Sequence, residues 1–163
     1  MGFGKAFGFS LLAYIGLNFL FVIITNTITG DLNNLFSSIG ANPLILFIIL
    51  LGPVTQTPTT VYSSIASEIG LGSLDAGTIV EYIGYIAAPL VAAIIAGKVG
   101  DNKAGSFLGW LITTIVMAII LIILMIVGLP IVGMTTFEIL ILAVINGIFY
   151  GTFALLFTST EYY

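Results

Sequence analysis

Between Lys103 and Glu138 the chain runs through Trp110 and a block of leucine, isoleucine and valine without one charged side chain. Within that block, Leu111 to Val127 contains twelve Leu, Ile or Val residues. At roughly −0.3 to −0.6 kcal/mol for each at a helix centre, these favour insertion into a bilayer by about 4 to 7 kcal/mol. A lipid-embedded helix over 106–127 is therefore the expectation.

The rest of the chain cannot supply a water-facing coat. Of its 163 residues 60% are hydrophobic and only 6% are charged, against roughly 25% charged in a soluble domain. The length suits four or five crossings with their loops and leaves no room for a second domain of ordinary size, so 1–163 reads as a single transmembrane domain. Seven acids against three lysines give a formal net charge of −4. They are scattered over several loops, so no nucleic-acid partner is expected.

Histidine and cysteine are absent, and all three basic residues are lysines. Thiolate and imidazole metal ligands, a histidine base and bidentate guanidinium grips on phosphate are thereby excluded. No metal, cofactor or catalytic residue is expected, and no Walker loop or dinucleotide fingerprint occurs. A membrane enzyme ranks third among the functional readings, since no close pairing of its remaining polar side chains is visible.

Apolar runs of crossing length fall at 7–25, 78–97, 106–127 and 137–157, each about the length needed for a core of roughly 30 Å. Lys5 and Phe3 stand before the first as interfacial anchors. That run lacks a small-x-small cleavage site and reads as a retained helix. Thr78-Ile-Val-Glu81 and Thr135-Thr-Phe-Glu138 have the spacing of capping boxes. Pro89, inside the 78–97 run, is expected to kink it. Gly128 and Pro130 should stop the third run, and Tyr162 and Tyr163 should lie near an interface.

The insertion between the first two runs, 29–77, is the difficult part. Thr29 to Asn42 is polar and rich in turn residues. Eight apolar residues, Leu44 to Leu51, then meet Gly52-Pro53 and the run Val-Thr-Gln-Thr-Pro-Thr-Thr. Eight helical residues cover only about 12 Å, under half the core. The segment 43–67 therefore reads as re-entrant or interfacial. The fold expected is an all-α integral membrane protein, a four-span helical bundle with a dipping outer insertion; five spans is the alternative. With four spans Lys5, Lys98 and Lys103 share one side, as the positive-inside rule prefers. The expected location is the cell membrane, multi-pass, with both termini cytoplasmic.

Two helix faces are nearly bare of side chain. Gly84, Ala88, Ala92, Ala96 and Gly100 recur at every fourth position, and Ala143, Gly147 and Gly151 repeat the device. In lipid such stripes let backbones approach, which drives helix association either within one chain or between chains. Asn18 and Asn146 carry amides near the middle of their runs and are expected at similar depth, facing the bundle interior. Thr55, Gln56 and Thr57 place hydroxyl and amide groups at a depth that ought to be dry. Together with Asn18, Asn146 and Glu81 they form the possible polar lining of a solute path. The remaining acids, Asp31, Glu68, Asp75 and Asp101, read as solvated loop residues.

The leading functional expectation is a non-enzymatic packing subunit whose partners are the bilayer and either itself or other membrane subunits. The alternative is a small channel or carrier for an ion or small solute, built on the 55–60 segment.

Overall fold

The computed structural model describes residues 2–129 and 133–158, so Pro130, Tyr162 and Tyr163 lie outside the described residues. The described chain is helical throughout, without strands. Four helices are long and apolar enough to cross a membrane: α1 (Gly2–Thr29), α5 (Ala76–Val99), α6 (Lys103–Ile126) and α7 (Thr136–Phe157). Between α1 and α5 lie α2 (Leu32–Ala41), α3 (Leu44–Leu51), a 3-10 turn (Gly52–Thr55) and α4 (Pro58–Leu71).

The four long helices pack as a square in the order α1, α5, α7, α6, with α5 and α6 touching across the short diagonal. Their directions follow from what each close approach brings together. Gly77 at the start of α5 lies against Thr25 and Thr29 at the end of α1, and Gly84 lies against Phe21, so these two helices are antiparallel. Gly109 of α6 meets Ala6, and Thr113 bonds Ser10 and the carbonyl of Phe7, so α6 runs parallel to α1. Gly151 against Phe107 and Gly147 against Thr114 make α7 antiparallel to α6. The chain therefore enters and leaves the 30–75 insertion at one end of the bundle. Lys5, Lys98 and Lys103 are at the other.

Close packing depends on small residues, which let helix backbones approach. In α5 the buried positions are Gly77, Gly84, Ala88, Pro89, Ala92, Ala93, Ala96 and Gly97. A Cβ built on Gly97 would stand 2.5 Å from the Ala154 carbonyl oxygen, and one on Gly147 2.5 Å from the Thr114 hydroxyl. Ala143, Gly147 and Gly151 are likewise buried on α7. Gly100 departs from the stripe: it has extended dihedrals at the C-cap of α5, in the short turn to α6, where its Cα faces Ser106. The same four-residue spacing recurs unheralded on α1, whose buried residues are Gly2, Ala6, Ser10, Tyr14 and Asn18.

Two local expectations change, at 29–42 and at Thr78. The 29–42 stretch contains a helix, α2, because Leu32, Leu35, Phe36 and Ile39 fall on one helical face despite the asparagines and serines between them. The capping box at Thr78 does not form. Helix α5 starts earlier, at Ala76, with Asp75 as its N-cap accepting the Thr78 amide at 2.8 Å, so Thr78 already lies inside the first turn. At Thr135 the box does form, with the Thr135 hydroxyl accepting from the Glu138 amide and the Glu138 carboxylate accepting from the Thr135 amide at 2.7 Å. Finally, α5 runs unbroken through the buried Pro89, so any bend there does not divide the helix.

Gly97→Val should destabilise the bundle by about 1–3 kcal/mol, because the atom it meets is backbone and cannot swing away. Gly8→Ala, with open space around it, should be neutral or stabilise by up to about 1 kcal/mol; thermal unfolding in detergent compares the two. At Asp75 the Thr78 amide holds the carboxyl below its ordinary range. The folded-state value being the lower, this cap is fully present above the unfolded aspartate pKa and is lost as pH falls through the depressed value. Hydrogen exchange at the Thr78 amide should accelerate on acidification through that window, and the acceleration should be absent in Asp75→Asn.

Candidate functional site

The insertion descends into the bundle and turns there. Helix α3 packs on α1 and α6, and the 3-10 turn that continues it touches α5, α6 and α7. The axis of 44–55 then meets that of α4 at 98°. Gly52-Pro53 starts the turn, and Gln56 leaves it in extended conformation. Thr57 ends it as the N-cap of α4, accepting the Thr60 amide at 3.2 Å, with Pro58 at the first helical position where a missing N–H costs nothing.

A single side chain on α7 holds the turn in place. Nδ2 of Asn146 donates to the carbonyl of Val54 at 2.6 Å and to that of Gln56 at 3.1 Å. Both acceptors are carbonyls, so only the NH2 side of the amide can face them, which fixes its orientation. Asn146 is 1% exposed and lies about 15 Å below the start of α7 at Thr136, taking 1.5 Å per residue. Asn18, counted from the end of α1, is buried at about the same depth.

Above the turn, towards the end that bears the insertion, a cavity of about 580 Å³ opens between α1, α2, α3 and α5. Its polar lining is Asn18, Thr25, Asn26, Thr55, Gln56 and Glu81, with Asp31 and Thr29 also contributing. Phe21, Val22, Ile48, Ile49 and Tyr85 supply apolar and aromatic wall. The Tyr85 hydroxyl donates to Oε1 of Glu81 one turn earlier. The Thr55 hydroxyl is turned back to the Gly52 carbonyl at 2.9 Å. Asn18 is 2% exposed and its Nδ2 has no protein partner.

Of the six residues that the sequence suggests as polar lining, Thr55, Gln56, Asn18 and Glu81 share this cavity. Asn146 is a clamp on the turn beneath it, and Thr57 faces a separate shallow cleft with Leu142, Ile145 and Phe149. Asp31, read from sequence as a solvated loop acid, lies on the cavity wall because α2 folds back over the end of α1. Phe21 carried no signal of its own, whereas Tyr85 stands at the i+4 spacing from Glu81 that lets a helical pair meet.

Below the cavity the bundle is closed. Tyr14 and Trp110 are fully buried with ring centroids 6.2 Å apart, and Tyr150 is buried on α7. The Tyr14 and Tyr150 hydroxyls and the Trp110 Nε1 have no protein partner. Deeper still, the Ser10 and Thr113 hydroxyls bond at 2.8 Å, and Thr113 also donates to the Gly109 carbonyl at 2.9 Å.

Asn146→Leu should remove the clamp and leave two buried carbonyls without partners, at about 1–3 kcal/mol each. Asn146→Asp, nearly the same shape but without the donor, should lose as much. The measurement is thermal unfolding together with proteolysis in 52–60, which should become faster in both variants; an Asp variant as stable as the parent would mean that the two bonds contribute nothing. Compared with known proteins, the chain matches no family model, no curated protein and no solved structure.

Proposed function

We propose that this chain is a small multi-pass membrane protein that passes a small polar solute, as a carrier or channel, through the cavity above the 52–57 turn. The four long helices cross the bilayer, and the insertion dips to about mid-depth and returns. The return of the chain to the same end of the bundle supports this over five spans, because Gly77 sits beside Thr29. Helix α2 then lies along the outer interface with Phe36 towards lipid. The lysine-bearing end is cytoplasmic by the positive-inside rule, and with it both ends of the described chain.

The observation that carries the reading is the broken helix at the floor of a polar cavity. Irregular backbone at such depth is tolerated where protein surrounds it or where it borders a water-filled space, and here it does both. Discontinuous helices meeting near the midplane are the usual way for a transporter to present carbonyls and polar side chains to a solute. The closed Tyr14, Trp110 and Tyr150 layer makes this an outward-open arrangement.

The packing-subunit reading has less support. Its argument was the small-residue stripes, and those are occupied within the chain, by Phe21, Ala154, Thr114 and Phe107. The outward faces present Leu12, Ile119, Ile123 and Leu156, as lipid requires.

The chain has no cysteine, so single cysteines report cleanly. In membranes of known orientation, Thr55→Cys and Gln56→Cys should react with a membrane-impermeant cationic methanethiosulfonate from the outer side, while Ser10→Cys should not. Lys5→Cys and Asp101→Cys should react from the opposite, inner side. Inert thiols at both 55 and 56 would describe a dry centre and return the protein to a packing role; labelling of 5 and 101 from different sides would overturn the four-span layout.

A further inference from the structure

We propose that the solute is a small organic ammonium compound, with Glu81 as its counter-charge. This rests on the translocation reading and goes further by naming the chemical class that the cavity selects.

Charge is the first argument. The residues lining the cavity include two carboxylates, Glu81 and Asp31, and neither lysine nor arginine. Asp31 immediately precedes α2, where the exposed amides of the helix start offset its charge. Glu81 has no such offset, since it stands within α5, beyond the first turn, and among the described residues its hydrogen bond comes from the neutral Tyr85 hydroxyl. That bond fixes the carboxylate without neutralising it. One oxygen is held and the other remains for a cation.

The walls decide which cation. A dehydrated metal ion needs several oxygen ligands within about 2.0 to 2.6 Å. Among the described residues no three histidine, cysteine, aspartate or glutamate side chains converge to hold one. The cavity, at about 580 Å³, has the size of a small-molecule site, typically 300–1,000 Å³. Phe21 and Tyr85 give it aromatic surface beside the carboxylate, the combination that attracts alkylated ammonium groups. Val22, Ile48 and Ile49 would meet the alkyl substituents. At the floor, the buried Asn18 side chain completes the polar lining.

The test uses the whole chain, purified in detergent, with choline as probe. Its comparators are 3,3-dimethylbutan-1-ol, which has the same shape without the charge, and sodium chloride at equal concentration. Binding is read by isothermal titration calorimetry. Choline should bind at least about tenfold more tightly than the neutral alcohol, sodium should not displace it beyond the general effect of ionic strength, and Glu81→Gln should weaken it at least about tenfold while Glu81→Asp keeps part of it. Equal binding of choline and the alcohol overturns the proposal on the native protein, whether or not the Gln variant folds; so does displacement by sodium at equal concentration, or a Gln variant that binds as the parent does. If choline fails to bind while Thr55→Cys is labelled from the outer side, the ammonium assignment falls and the translocation reading stands; an inert Thr55→Cys and Gln56→Cys remove both.

Discussion

Two hydrogen bonds from one amide, Asn146 Nδ2 to the carbonyls of Val54 and Gln56, are the interaction on which the outer half of this protein depends. In water such bonds are worth little, because the carbonyls would find solvent when released. Inside an apolar bundle there is no such exchange, and an unpaired carbonyl costs its full desolvation. The helical path ends at the extended Gln56, and Pro58 has no N–H to offer the Val54 carbonyl, so Asn146 supplies the donor that the backbone does not. The turn can therefore lie deep, and a cavity can exist above it. Without that amide the break would have to move to an interface.

Room for the wedge comes from how the long helices touch. Glycine and alanine at the α1–α6 and α5–α7 contacts draw the lysine-bearing end of the bundle together, with Gly109 against Ala6 and Gly97 against Ala154. Towards the other end the residues at the helix contacts become larger. Phe21 against Gly84 is a ring seated over a bare backbone, and the α3 arm fills the space between α1 and α6. The bundle is tight where the lysines are and open where the insertion enters. The packing of small residues at one end and larger ones at the other produces this taper.

Much of the bundle was legible in the sequence from pattern alone: long uncharged runs read as helices, Thr-x-x-Glu spacing as a helix start, and amides amid apolar runs as inward-facing. The four long helices, the Thr135 to Glu138 box and the inward-facing asparagines follow from it. What escaped was set by competition among neighbours. Asp75 and Thr78 are both good caps, and a three-residue difference in helix start decided whether Glu81 served the backbone or the cavity. Helix α2 was hidden because its asparagines and serines read as turn residues when taken singly, whereas its leucines and phenylalanine define a face only when wound at 3.6 residues per turn. The α1 stripe was hidden for the opposite reason: Tyr14 and Asn18 are not small, so beyond Ser10 spacing was the only signal.

The layer beneath the cavity is of a different kind from the clamp above it. Ser10 and Thr113 nearer the lysine end find partners in each other and in the carbonyls of Phe7 and Gly109. Tyr14, Trp110 and Tyr150 are instead large rings buried within the bundle. What keeps them in place is ring volume and aromatic contact, with Tyr14 tilted at 49° to Trp110 and Tyr150 edge-on to Phe149 at 5.0 Å, contacts worth about 0.5–1.5 kcal/mol beyond their area. A floor held by packing alone can shift without breaking a hydrogen bond of its own, whereas the 52–57 turn cannot move away from α7 without losing two. The clamp therefore resists displacement more than the floor does, and a conformational change that opened the inner half would start at the aromatic layer.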